Sequence, residues 1–241
     1  MIIEIVAQSP DDAVIAARSG ADRLELVSAL SLGGLTPSLG TLQEVRHRCN
    51  LPVVAMLRPR SGGFAYSPAE LDSMERDGDL FLLNGAKGLV FGVLTPDGQI
   101  DRPANRRLVK LGGGAVFHRA FDALPDPAEA MEVLIDLGFR RILTSGGRGT
   151  ALEGTETLRR LAERAAGRIE ILPGGGVRPE NAAEIVARTG IRQLHLAGQE
   201  WVADRSTANL GMVFNGGQHP EDQYGRVDGA TVSAMRSVPI N

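Results

Sequence analysis

The run Ile2-Ile3-Glu4-Ile5-Val6-Ala7, then residues 10–19, then Arg23-Leu24-Glu25-Leu26-Val27 is the stretch on which the fold is decided. Two short, β-rich apolar runs flank a segment whose apolar residues recur at three- and four-residue spacing, opened by Ser9-Pro10 and closed by Gly20. This is the pattern of a βαβ unit, in which the helix carries the chain back so that the second strand lies parallel to the first.

The same unit repeats along the chain. Strands are predicted at residues 2–7, 23–27, 53–58, 88–93, 115–119, 142–145, 169–173 and 193–197, with helical segments such as 10–19, 37–48, 126–137 and 156–165 between them. Gly20, Gly138 and Gly190 follow three of these segments, where a left-handed residue ends a helix. Eight parallel strands are the number that closes a barrel. An open doubly wound sheet needs similar elements, but no glycine-rich turn follows the first strand. The expected fold is therefore α/β, a single-domain TIM-type (β/α)8 barrel over residues 1–241 with an irregular C-terminal extension from about residue 205. Within that extension, residues 215–226 are polar and turn-rich and read as a mobile loop before a last short helix at 228–238.

Composition narrows the function. The 241 residues are 43% hydrophobic, enough for one buried core, and the formal net charge of -3 offers no field that would condense on nucleic acid or an anionic membrane. No apolar run reaches the ~18 residues that a membrane helix needs, and the amino terminus lacks a basic leader, so a cytoplasmic location is expected. The one cysteine, Cys49, can form neither an intramolecular disulfide nor an all-cysteine metal site. Only Lys87 and Lys110 are lysines, one at the start of the fourth strand and one in a helix, which argues against Schiff-base chemistry.

Strand parity sorts side chains between the helix layer and the barrel interior. If Ile3, Ile5, Leu24 and Leu26 face the helices, then Glu4, Val6, Arg23, Glu25 and Val27 face inward; the same reading sends Met56, Arg58, His118 and His195 inward. Buried charges persist only when paired, hydrated or used. For Glu4, low on its strand, a satisfied ion-pair layer and a functional role stand equally. Arg58 and His118, at the upper strand ends where barrel sites lie, point to function.

The loops at that rim carry the chemistry. Arg58-Pro59-Arg60-Ser61-Gly62-Gly63-Phe64 sets two arginines on a proline-stiffened turn, suited to an anion. Pro173-Gly174-Gly175-Gly176 leads into a helix amino terminus after the seventh strand and, with Gly198 after the eighth, matches the way barrels seat phosphate. His118-Arg119-Ala120-Phe121-Asp122 and Thr144-Ser145-Gly146-Gly147 complete the rim. The candidate proton-transfer and orienting residues are His118, Glu25, Arg58 and Asp122; the candidate anion contacts are Arg60, Arg119, Ser145, Gly174, Gly175, Gly176 and Gly198. For a metal, the candidate ligands are His118, His195 and Glu4.

Taken together, Gly20-Ala21-Asp22-Arg23-Leu24-Glu25-Leu26, Gly33-Gly34-Leu35-Thr36-Pro37-Ser38, Arg58-Pro59-Arg60, Phe117-His118-Arg119-Ala120-Phe121-Asp122, Leu143-Thr144-Ser145-Gly146 and Pro173-Gly174-Gly175-Gly176 resemble the CutC family, named for copper homeostasis. The resemblance runs in order from Glu4 to about Leu196. It implies a barrel of the triosephosphate-isomerase type, a cytoplasmic setting and a role in copper tolerance or copper binding. One departure bears on that role: members proposed to bind Cu(I) carry cysteines at the positions held here by Val6 and Val27, and valine cannot coordinate a metal. Any metal would use His118, His195, carboxylates or Met56, a set better suited to a divalent ion than to Cu(I).

Two readings therefore stand. One is a CutC-like cytoplasmic protein of copper homeostasis that binds copper. The other is a barrel enzyme of lyase or isomerase type acting on a small anionic or phosphorylated metabolite. The expected partners are a small anionic ligand or a metal ion, with neither nucleic acid nor membrane, and self-association into a homo-oligomer is expected.

Overall fold

Strand and helix alternate as the periodicity predicts. The computed structural model describes residues 1–207, 211–214 and 221–239. Its barrel consists of β1 (Ile2–Ala7), α1 (Pro10–Arg18), β2 (Arg23–Leu26), α2 (Leu39–Arg48), β3 (Val53–Met56), α3 (Pro68–Leu83), β4 (Gly88–Phe91), α4 (Arg102–Val109), β5 (Gly114–Phe117), α5 (Pro127–Leu137), β6 (Arg141–Thr144), α6 (Thr155–Ala165), β7 (Glu170–Pro173), α7 (Pro179–Thr189) and β8 (Gln193–Leu196). Then follow β9 (Gln199–Ala203), β10 (Gln223–Val227) and α8 (Gly229–Arg236).

The eight barrel strands pair in parallel in the order β7-β6-β5-β4-β3-β2-β1-β8. A parallel bridge from Gly174 to His195, with the Gln193 side chain donating to the Ile171 carbonyl at 3.0 Å, joins the two ends of that order and closes the ring. Helices begin where short polar side chains can take orphan N–H groups: Ser9, Ser38, Ser67, Asp101 and Asp126 each cap one. Proline occupies the first turn after all of these caps except Ser38.

Parity holds. Ile3, Ile5, Leu24 and Leu26 pack in the large core between sheet and helices, while Val6, Val27, Val54, Met56, Val90, Val116, Leu143 and Leu172 form a separate apolar cluster inside the ring. Each fully buried aliphatic or aromatic side chain contributes roughly 1.5–3 kcal/mol, so these two layers supply the driving force for closure.

Several strands end one or two residues sooner than predicted, because the rim residues leave the ladder as the chain turns outward. Arg119, read as the end of the fifth strand, instead begins a 3-10 turn, Arg119–Ala123, that the His118 ring caps by accepting the Ala120 N–H at 3.2 Å. The C-terminal extension also differs from its reading. Residues 223–226, taken as loop, belong to β10, which pairs antiparallel with β9, and residues 215–220 lie outside those described. The ordering agent is tertiary: buried Asp12 of α1 accepts the Val227 N–H at 2.8 Å and the Gln8 N–H at 2.9 Å, which pins the hairpin to the barrel. Among the described residues no helix is long and apolar enough to cross a membrane.

Candidate functional site

Ring closure assembles one wall of the site from β8, β1 and β2. Glu4 is the register partner of His195 on one side and of Arg23 on the other. Its Oε1 lies 2.8 Å from His195 Nδ1, and its Oε2 accepts from Arg23 Nε, with Arg141 Nη1 3.9 Å away. Burial alone would raise the Glu4 pKa, but the hydrogen bond and charge of His195, then Arg23 and Arg141, outweigh it and hold the carboxyl at about 2.

An ionised Glu4 only accepts, so the His195 proton sits on Nδ1 and leaves Nε2 as the reactive nitrogen. Nε2 faces Glu25, whose Oε2 is 3.8 Å away. Burial raises the Glu25 carboxyl to about 7; His195 and Arg23 pull against this and the Glu4 charge adds to it. Burial likewise presses the His195 pKa down, but the charge of Glu25 and the hydrogen bond and charge of Glu4 bring it above its ordinary value. Glu25, at about 7, and His195, raised above its ordinary value, thus titrate as a coupled pair. Glu25 Oε1 is buried without a hydrogen-bond partner.

The other wall is cationic and comes from the chain beyond β3 and β5. Arg58 is buried, and its guanidinium donates to the carbonyls of Leu32 at 2.8 Å, Gly34 at 3.2 Å and Gly62 at 3.0 Å. Its Nε has no partner, and no carboxylate lies within ion-pair distance among the described residues. The positive charge is left to three carbonyl dipoles and the Phe64 ring, 5.3 Å from the guanidinium carbon. Beside it, His118 uses Nδ1 as an acceptor, so its proton is on Nε2, which is buried and unpartnered. Burial, then the nearby Arg58 charge, lower the His118 pKa to about 3. It is a neutral hydrogen-bond donor at every physiological pH.

Between the walls lies a cavity of about 460 Å³, lined by Glu25 and His195 on one side, Arg58, His118 and Arg119 on the other, and Gly175, Gly176 and Gly198 at its mouth. The amides of these three glycines have no acceptor among the described residues. Gly175 adopts φ +103°, and a Cβ there would sit 3.2 Å from the Arg119 guanidinium, so a side chain would block both the turn and the approach.

Not every predicted residue reaches this cavity. Arg60 turns outward to Glu70, with Nε 2.5 Å from Oε1, and stacks on Tyr66. Asp122 is committed to holding the loop after β6: it accepts the Thr144 hydroxyl, the N–H groups of Ser145 and Gly147 at 3.1 Å and Arg119 Nε at 2.8 Å. Ser145 accepts Arg119 Nη2 at 2.9 Å, and so aims the guanidinium. Gly174 spends its N–H on the Thr144 carbonyl at 3.0 Å. Conversely, sequence reasoning assigned no proton-transfer role to His195 and none to Glu4 as its orienting partner. Inward parity marked both, but their adjacency depends on how β8 registers against β1.

The copper expectation meets the donor set here. Val6 and Val27 are buried in the inner apolar cluster beside Met56, and Cys49 is packed in the outer core at the end of α2. Glu4, Glu25 and His195 form the one cluster among the described residues with metal-ligand atoms in proximity, all within 4.8 Å. Glu4 addresses Nδ1 of the His195 ring and Glu25 faces Nε2. Without a thiolate, the site does not fit Cu(I).

A sequence model of the CutC family matches residues 1–200. A family protein CutC of Treponema denticola is 48% identical over 230 residues, 94% of each chain. The copper homeostasis protein cutC homolog of Homo sapiens is 45% identical over 215 residues, 88% of this chain and 77% of that one. The crystal structure of a copper homeostasis protein CutC from Streptococcus agalactiae superposes with a TM-score of 0.77 at 36% identity, covering 81% of this chain and 97% of that one.

Proposed function

The chain belongs to the CutC family, and we propose that it is a cytoplasmic barrel enzyme, of lyase or isomerase type, that moves a proton on a small anionic or phosphorylated metabolite. One juxtaposition carries this reading: a buried carboxyl near neutral pKa with an unpartnered oxygen, Glu25, lines the same cavity as a buried guanidinium without a counter-charge, Arg58. A buried carboxyl oxygen without a donor and a buried guanidinium without a counter-charge are each expensive unless a ligand completes them.

In this mechanism the anion of the substrate rests against Arg58, Arg119 and the free amides of Gly175, Gly176 and Gly198. Glu25 takes a proton from a carbon next to a carbonyl and becomes the neutral acid. The electron pair moves onto the carbonyl oxygen, which the His118 Nε2–H stabilises as a neutral donor. His195, oriented by Glu4, exchanges the proton with Glu25 and resets it. Asp122 and Ser145 act through Arg119, as positioning residues.

The relatives' names connect their proteins to copper homeostasis, and copper binding by this chain is the second reading. The absence of thiolates at Val6 and Val27 argues against Cu(I) at this cavity.

The test is exchange in D2O. Purified protein is incubated with a panel of small phosphorylated and carboxylated metabolites and carbon-bound deuterium is followed by mass spectrometry. Crystals grown without phosphate and soaked with the same panel are expected to hold the active compound between Arg58 and Glu25. Exchange with no member of the panel, together with an unfilled cavity in every soak, would refute the proposal.

A further inference from the structure

At the other mouth of the barrel, where the strands begin, Arg23, Lys87, Arg140 and Arg141 line a second cavity of about 320 Å³, together with Asp22. The charges around it do not balance. Glu4 serves Arg23 and Arg141 from inside the ring, Glu170 is shared by Arg140 Nε at 3.1 Å and Arg141 Nε at 2.7 Å, and Asp22 is taken by Arg236 Nη2 at 2.6 Å. Five cations (Arg23, Lys87, Arg140, Arg141, Arg236) thus meet three carboxylates (Glu4, Glu170, Asp22), leaving two positive charges in excess.

The spare donors belong to residues that line the cavity. Among the described residues the Lys87 ammonium and the Nη groups of Arg140 have no acceptor, and Arg23 Nη2 reaches Gln193 Oε1 only at 3.5 Å. A closed ion-pair plug would saturate these groups. Here donors without a protein acceptor belong to residues that line a space large enough for an oxyanion and its hydration.

We propose that this lower cavity binds a phosphate-class oxyanion, held by Lys87, Arg140 and Arg23. It is distinct from the upper cavity and goes beyond the enzymatic reading. It also lies one carboxylate away from His195, since Arg23 and Arg141 both reach Glu4.

The experiment is a titration of the full chain with inorganic phosphate, followed by amide NMR. The amides of Lys87 and Gly114 report the lower cavity; those of Gly175 and Gly176 report the upper one, so the two readings succeed or fail separately. Lys87 and Arg140 are both exposed, so a Lys87→Ala/Arg140→Ala variant is expected to keep the fold, which its amide spectrum checks. It is expected to weaken the response at Lys87's neighbours and Gly114 about tenfold or more while leaving Gly175 and Gly176 unchanged. Single Lys87→Ala should show a smaller loss in the same direction. Phosphate that leaves Gly114 unmoved in the unmodified protein, or moves it equally in the double variant, overturns the proposal.

Discussion

The two walls of the upper cavity place the same side chain in opposite states. His195 and His118 are both buried, and burial alone lowers a histidine pKa. On the β8–β1–β2 wall, Glu25 and Glu4 reverse that effect and raise His195; on the wall beyond β3 and β5, Arg58 reinforces it and drives His118 to about 3. Proton transfer is thus possible on one side of the cavity only. The cationic side can bind an anion and donate hydrogen bonds without ever titrating near neutrality. A substrate held between them would be oriented by its charge, with the reacting carbon toward Glu25.

The sharpest way to break this contrast is to silence the acidic wall. Glu25→Gln keeps the shape and loses the base, so deuterium exchange on the active compound should fall by ~10²–10⁴-fold while its binding persists. Equal activity in the variant would move the proton chemistry elsewhere. The pH profile of exchange in the unmodified protein should have a limb near 7, set by the Glu25–His195 unit.

Silencing the cationic wall should act on affinity. Arg58→Ala removes the uncompensated charge and should weaken anion binding by about 10–100-fold, measured by calorimetry with the active compound. It also strips donors from the Leu32, Gly34 and Gly62 carbonyls. Denaturant unfolding should therefore register a loss of roughly 1–3 kcal/mol. Unchanged affinity would show that the anion rests on the glycine amides alone.

The smallest effect is the most direct reading of the contrast. Glu25 has a folded pKa of about 7, above its ordinary 4.5, so its contribution to stability is present below pH 4.5 and is lost as pH rises to 7. His118 has a folded pKa of about 3, below its ordinary 6.5, so its contribution is present above pH 6.5 and is lost as pH falls through 3. Each slope reaches at most about 1.4 kcal/mol per pH unit, and between 4.5 and 6.5 they oppose one another. Urea titrations across this range should show stability climbing more steeply with pH in Glu25→Gln, which also removes the charge that lifts His195. In His118→Asn stability should decline over the same range. Parallel profiles for the two variants would contradict the opposed walls.

These walls were only partly legible beforehand. Inward parity marks Arg58, His118 and Glu25, because alternation along a strand is a local steric fact, and the first two also stand at upper strand ends. Asp122 carried the same kind of signal, an acid at the rim, yet its oxygens are consumed by the β6 loop. Arg60 shared a turn with Arg58 and faces away from the cavity, since Glu70, the N3 residue in the capping box of α3, captures it. Nothing in the short-range pattern distinguishes a free carboxylate from a saturated one.

By itself the sequence determined the βα alternation, the count of eight strands and the face on which each strand residue lies, since hydrophobic period and capping residues act over a few positions. Only the tertiary structure decided that Glu4 meets His195, 191 residues away, that three loop carbonyls hold Arg58, and that residues 223–227 form a strand. Strand register, ring closure and loop path arise from contacts between distant segments, and it is those contacts that set which buried charge finds a partner and which is left for a ligand.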